Sequence, residues 1–599
     1  MRRSGAGANT GGIELVLVAL VSVLVGGTAV VWLAGNLASL LGGSGSLGIG
    51  ATEAAAVLKR LPGTIADPAQ AWPAAVRDEL PGTMTIVLAL VMALVVVFLV
   101  LAGILWLLMG LLRMRHPANA AQWATGRDLR ELQVSSPQRG RLVLGRHGRQ
   151  LLAAEPRASV MVVAPAQSGK TTGMAVPAIL EWDGPVLATS VKGDLAHDTI
   201  AARSHRGDTR VFDPTGATGL PTAAWSPVAA STTWEGARRT AARLLGLDQN
   251  DGGSSDERFW RPAAARYLAP LLFAASRAQL TMGDVLSWIA TTNDEEPRLL
   301  LEQMHTEGIA GANTALQALQ QIWEADARTR SSMLVTAATA LDAWQEPSVA
   351  AATGGPGAID AKWLLSGNNT LYLSAPADDQ KRLRGLFTAI VAEVVAEAFA
   401  QSTRTGKPID PPLLLCLDEA ANVAPLPNLD ELASTGPGQG VQLLSVFQNV
   451  SQIHDRWGKD RAETIVANHR ARLFGAGIGD RATLEYVGAI LGDEAIDKIS
   501  AHRDRFQVLD GGSIQLAHEY RRLAAPNKVR EADPATALLV YGRLKPCWVQ
   551  LRPWYEDREL TRKVNTPTLP VEPAAPAVKP AVAPPPPPPG PSTGLETAS

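Results

Sequence analysis

The stretch that decides the fold is Val160–Leu180, "VMVVAPAQSGKTTGMAVPAIL". With Ala158 and Ser159 before it, its first part is a β-branched apolar run of the kind buried on both faces of a parallel sheet. Its last part has helix-forming composition, interrupted at Pro177. Between them "APAQSGKT", Ala164–Thr171, has the pattern of a phosphate-binding loop. Gly-Lys-Thr follows a small residue five positions before the Gly, so that successive backbone N–H groups can converge on phosphate oxygens. Ala164 stands where Gly is commonest. Strand, loop and helix in this order aim a helix N-terminus at an anion. The expected nucleotide contacts are Ala164, Pro165, Ala166, Gln167, Ser168, Gly169, Lys170, Thr171 and Thr172.

Such a site needs an acid pair at the end of a second buried strand. "PPLLLCLDEAAN", Pro411–Asn422, supplies it: Leu413–Leu417 is continuously apolar and ends in Asp418 and Glu419. Asp418, with the Thr171 hydroxyl, is expected to hold Mg²⁺, and Glu419 to orient or deprotonate the attacking water on ATP. A third strand, "GVQLLSVFQNVSQI", ends at Gln448, placed to sense a γ-phosphate or orient water. The catalytic set read from the sequence is Lys170, Glu419 and Gln448.

At 599 residues the chain exceeds what one core usually serves, and its 46% hydrophobic content is ample for several. A formal charge of −2 gives no global electrostatic reason to bind a polyanion, so any such contact is local. The densest basic cluster is "RGRLVLGRHGR", Arg139–Arg149, readable as a polyanion contact or as a solvated hairpin. Cys416 and Cys547 are too few for a disulfide framework and read as reduced, buried thiols.

Leu15–Ala34 and Met84–Leu112 carry no charge and are long enough to cross a hydrocarbon core of about 30 Å. Arg2 and Arg3 precede the first span, and Arg113, Arg115 and His116 follow the second. The loop between holds Lys59, Arg60 and Arg77 against four acids. This bias places both termini in the cytoplasm and predicts a multi-pass anchor in the inner or plasma membrane over residues 1–116. Residues 557–599, with "APPPPPPG", read as a Pro-rich disordered tail.

The order of motifs resembles the type IV coupling proteins of conjugation and type IV secretion, the TraG/TraD-like P-loop ATPases. Two N-terminal spans are followed by "SGKTTG", "TSVKGDLAHDT", "VFDPTG" with "WSPV", a helical stretch, "LLLCLDEAANV", "QNVSQI" and "ANHRARLFGAG". The resemblance runs over about 110–556. It implies an α/β fold: a RecA-like P-loop NTPase core over residues 117–245 and 358–556, with an all-α domain inserted at 246–357. It implies ATP and Mg²⁺ as cofactors and near-site or structural roles for Lys192, Asp194 and Asp213. It further implies a homo-hexamer at the membrane that passes relaxase-bound single-stranded DNA, or a protein substrate, to a type IV secretion channel. Two readings stay open beside it: a septal double-stranded DNA translocase, and a nucleotide-binding substrate receptor without motor activity. Some relatives place an Arg after the acid pair that reaches the neighbouring subunit; Pro437 occupies that position here, leaving Arg470 or Arg472 as the expected trans-acting group.

Overall fold

The computed structural model describes residues 10–43, 45–64, 66–113, 120–247, 255–353, 359–501 and 514–567. It divides into two compact units, residues 1–120 and 121–599.

In the first unit two long helices, Thr10–Leu41 and Thr83–Arg113, pair along their length. The apolar windows Leu24–Leu41 and Thr83–Ile104 are each long enough to cross a membrane. Met84, Leu88, Val91, Leu94, Phe98 and Leu99 of the second helix point outward and are exposed. Leaving such a face in water costs roughly 25 cal/mol per Å². The connecting segment, read from the sequence as a short external loop, is folded. It carries the helix Ala51–Arg60 and short turns that bury Val57 and Trp72 against Val31, Ala38 and Ile86. The Asn36 side chain accepts the Leu47 N–H (3.1 Å) and the Trp32 indole donates to the Ile49 carbonyl (3.1 Å), tying the Gly/Ser-rich stretch to the first helix.

The second unit is built on a twelve-stranded sheet. In chain order the strands are β1 Gln133–Val134, β2 Val143–His147, β3 Gln150–Ala153, β4 Val160–Val163, β5 Val186–Ser190, β6 Thr209–Phe212 and β7 Thr370–Ser374. They continue with β8 Leu413–Leu417, β9 Val441–Phe447, β10 Ala471–Gly475, β11 Asp493–Ala501, β12 Ile514–Arg522, β13 Thr536–Tyr541 and β14 Cys547–Gln550. The sheet order is β1-β3-β2-β14-β13-β10-β4-β9-β8-β5-β7-β6, and β11 and β12 form a separate ribbon. From β10 to β6 neighbouring strands are parallel; from β13 to β1 they are antiparallel. Alternation along each strand divides two cores: Met161, Val163, Leu413 and Leu415 face one side, Val160, Val162, Leu414 and Cys416 the other. Cys416 and Cys547 are buried and unpaired.

The β6–β7 crossover carries a helical insertion. Its helices are Ser255–Arg277, Met282–Thr291, Glu295–Thr306, Ala312–Trp323, Ala327–Ala340 and Pro347–Thr353. The helix Trp234–Leu244 packs both on Ser255–Arg277 and on the long core helix Gln380–Thr405, so the helical layer starts before residue 246. The reading of residues 557–599 as a disordered tail is corrected at its start. Asp557 caps a helix, Arg558–Val564, whose Leu560 is fully buried against the core. Residues 568–599, with the Pro-rich run, lie outside the described residues.

Candidate nucleotide site

All seven parallel strands point their carboxyl ends to one edge, where ligands of open α/β sheets bind. The loop after β4 is the candidate phosphate loop. Gln167 (φ 62°) and Gly169 (φ 79°) take left-handed backbone, which turns the intervening N–H groups toward a common point. Ala164 is 1% exposed, and a Cβ built on Gly475 of β10 would stand 2.7 Å from the Ala164 methyl. A side chain is tolerated at Ala164 because its neighbour has none. Ser168 Oγ donates to the Pro165 carbonyl (2.8 Å) and Thr172 Oγ1 to that of Gly169 (3.4 Å), bracing the loop from within.

The helix after the loop opens with a wide turn, Thr171–Ala175, in which Val176 N–H bonds the Thr171 carbonyl. Pro177 has no N–H, so where the wide turn gives way to the α-helix the backbone ladder is a donor short. The C-terminal segment reaches this point: Trp554 N–H donates to Thr172 O (3.1 Å) and Arg552 N–H to Gly173 O (3.3 Å). Arg552 is 6% exposed and pairs with Glu181, the last residue of the helix, at 2.8 Å and with Asp557 at 2.9 Å. Burial pushes the Glu181 carboxyl above its usual range. Burial also works against the Arg552 charge, but the two carboxylates outweigh it and hold the guanidinium up.

β9 lies between β4 and β8, bringing three strand ends together. Thr171 Oγ1 donates to Asp418 Oδ2 at 2.8 Å. Asp418 is 5% exposed, and its other oxygen, Oδ1, has no hydrogen-bond partner. Burial pushes its carboxyl up to about 6, against the Thr171 bond and the Lys170 charge, which favour ionisation. A buried carboxylate oxygen left over beside a threonine hydroxyl fits Mg²⁺, which takes one or two protein oxygens and keeps water and phosphate for the rest. Lys170 is 7% exposed, with Nζ 3.4 Å from the Ala164 carbonyl and 4.0 Å from Glu419 Oε1. Gln448 Nε2 donates to Glu419 Oε1 (2.9 Å) and Asn422 Nδ2 to Glu419 Oε2 (3.2 Å). Glu419 itself has φ 55°, a backbone state costing a non-glycine residue about 1 kcal/mol or more. Lys170, Thr171, Asp418, Glu419 and Gln448 are thus gathered in one cluster.

A family described as Type IV secretory system Conjugative DNA transfer matches residues 121–577. The chain belongs to this family. Protein VirD4 of Rhizobium rhizogenes is 24% identical over 424 residues, 67% of this chain and 59% of that protein. Conjugal transfer protein TraG of Escherichia coli is 26% identical over 329 residues, 52% of this chain and 51% of that protein. The chain therefore spans about half to three fifths of the length of these curated relatives. The solved bacterial conjugative coupling protein TrwBΔN70 shares the fold, with a TM-score of 0.56 at 16% identity over 73% of this chain and 94% of that one.

The remaining motifs of this member of the family lie on the same sheet and its flanking loops. Lys192 and Asp194 follow β5 at the same sheet edge; Ser190 Oγ donates to the Lys192 carbonyl, and the Asp194 charge reaches Asp418 and raises its pKa. Asp213 after β6 accepts from Thr218 N (2.6 Å) and from Thr215 Oγ1 (2.7 Å), closing a turn. Burial opposes its charge, but these bonds outweigh it and hold the carboxyl low. Arg470 pairs with Glu155 (2.6 Å) over the Tyr541 ring, and Arg472 donates to Tyr486 Oη (2.9 Å). Both have partners within their own chain, and Ala471 pairs with Val160 at the amino end of β4, away from the phosphate loop. The cluster Arg139–Arg149 spans the turn before β2, β2 itself and the start of the turn into β3. Arg139 is taken by Asp410 (2.7 Å), and Arg141 by the carbonyls of Ala153 (3.0 Å) and Ala154 (2.7 Å). The sequence reading missed Asn422 and the strap Leu551–Asp557. An Asn closing a four-residue turn after an acid signals the first; for the second the signal was Pro177.

Proposed function

We propose that this chain is a membrane-anchored ATPase that couples nucleotide hydrolysis to the delivery of DNA, as a relaxase-bound single strand, or of protein to a type IV secretion channel. Its ATPase unit lies in the cytoplasm at the inner membrane and works as a homo-hexamer. The loop N–H groups and Lys170 bind the β- and γ-phosphates. Thr171 and Asp418 hold Mg²⁺, which when bound offsets the charge that builds on the transferring phosphoryl group. Glu419 orients the water and accepts its proton, and Gln448 fixes the Glu419 carboxylate.

The observation that carries this reading is the 2.8 Å bond between Thr171 and Asp418, side chains 247 residues apart. It is supported by the family match and by TrwB, a fold neighbour solved with GDPNP and with ADP and Mg²⁺. Full-length protein in detergent hydrolyses ATP, and Lys170→Ala or Glu419→Gln abolishes turnover; unchanged turnover in both overturns the assignment. A receptor that binds nucleotide without motor action is the second reading, favoured by the in-chain partners of Arg470 and Arg472. Turnover that single-stranded DNA leaves unaltered selects it.

A further inference from the structure

A cleft of 820 Å³ opens between the helical insertion and the first turns of the Gln380–Thr405 helix. Lys381 and Arg384 line it from the core side beside Asp378, and Trp260, Arg261 and Trp344 from the insertion side beside Asp342, so cations outnumber acids. The helix follows β7, so its positive end lies at the carboxyl edge of the sheet, as the phosphate loop does. Trp344 is 3% exposed and its indole N–H has no acceptor. Trp260 is half-buried, and Phe259, exposed outside the lining, stands edge-to-face on it with centroids 4.9 Å apart. Cationic donors, an unanswered N–H and a half-exposed indole are the chemistry that takes a phosphodiester chain with an unstacked base. An acidic peptide would use the cations and leave the rings idle.

Arg384 also reaches the turn after Glu419: its Nε donates to the Asn422 carbonyl at 3.4 Å, at the long end of the range for such a bond. Arg456, in the helix after Gln448, donates to the adjacent Ala421 carbonyl at 3.0 Å. The turn Glu419–Asn422 is thus held from two sides, and its Asn422 side chain returns to Glu419 Oε2 (3.2 Å). With Gln448 on Oε1, both Glu419 oxygens are engaged by amide donors.

We propose that this cleft binds the backbone of single-stranded nucleic acid, and that Arg384 and Asn422 carry its occupancy to Glu419. Asn422 is a positioning residue: it holds Glu419 away from the water until a strand draws Arg384 into the cleft and frees the turn. The inference rests on Glu419 being the base of an ATPase, as proposed above.

The test is ATP turnover by the full-length chain in detergent, with and without oligothymidylate, with folding followed by circular dichroism. The strand accelerates the wild type. Asn422→Ala and Arg384→Met each make the stimulated and unstimulated rates equal. Lys381→Ala weakens strand binding and lowers the slope of log affinity against log salt by about one. Undiminished stimulation of both Asn422→Ala and Arg384→Met overturns the relay while Lys170→Ala is inactive; turnover surviving in Lys170→Ala faults the nucleotide site instead. Stimulation by poly-glutamate equal to that by the strand overturns the nucleic-acid assignment.

Discussion

Arg552→Met removes the cation from a buried trio and leaves Glu181 without a partner at the end of the phosphate-loop helix. The Glu181 and Arg552 side chains are 5% and 6% exposed, so water cannot take over. The cheapest response is for Glu181 to take up a proton when folded, while the unfolded chain still ionises near its ordinary value of 4.5. At pH 7 that mismatch spans 2.5 pH units at about 1.4 kcal/mol each, a penalty of about 3.5 kcal/mol. A raised acid costs stability only above its unfolded pKa, so the penalty shrinks as pH falls and is under about 1 kcal/mol at pH 5. Adding Glu181→Leu removes the stranded group and recovers most of the loss, giving a coupling of about 2–3 kcal/mol. The assay is urea unfolding of the full-length chain in detergent at both pH values, followed by tryptophan fluorescence. An equal penalty at pH 5 and pH 7, or additive effects in the double variant, refutes the reasoning.

Three further outcomes are expected. His469 is fully buried between the Ile465 carbonyl and Ser445 Oγ, and burial pushes its imidazole down to about 4 from 6.5. The unfolded chain therefore takes up a proton that the folded chain refuses, and stability falls by about 3 kcal/mol as pH drops through that window; in urea melts His469→Gln lacks this slope. Arg203 is fully buried and donates to Thr370 Oγ1 (2.8 Å) and to the carbonyls of Trp182 (2.7 Å), Gly184 (2.7 Å) and Asn368 (2.9 Å). Arg203→Met leaves these acceptors stranded at the amino ends of β5 and β7 and lowers stability by about 3 kcal/mol in the same melts. Asp418→Asn removes the charge that Mg²⁺ needs, so nucleotide affinity measured by calorimetry becomes the same in Mg²⁺ as in EDTA.

The clustering of the candidate site residues was legible because each motif is contiguous and sits at a strand end, where local pattern and position coincide. "SGKTT", "LDE" and "FQN" could each be read without knowing which strands are neighbours. That β9 separates β4 from β8 is a property of topology, invisible along the chain, and it is what lets Gln448 reach Glu419. The arginines of "RGRLVLGRHGR" were ambiguous because their partners, such as Asp410, are distant in sequence. Residues 557–567 were read as tail because Pro-rich composition downstream masked a short capped helix. The fold of the connection between the two apolar helices is not visible in its composition for a related reason: its buried residues Val57 and Trp72 find their partners, Val31, Ala38 and Ile86, on the two helices.

Beside Pro177 the carbonyls of Thr172 and Gly173 are answered from the distant Leu551–Asp557 segment. The strand that leads into Lys170 is therefore translated long before the segment that braces the turn after it. A ribosome stalled before Arg552 holds a chain in which these two carbonyls still face water. The turn beside Lys170 is thereby a late product of translation, completed only when the far end of the sheet has been made.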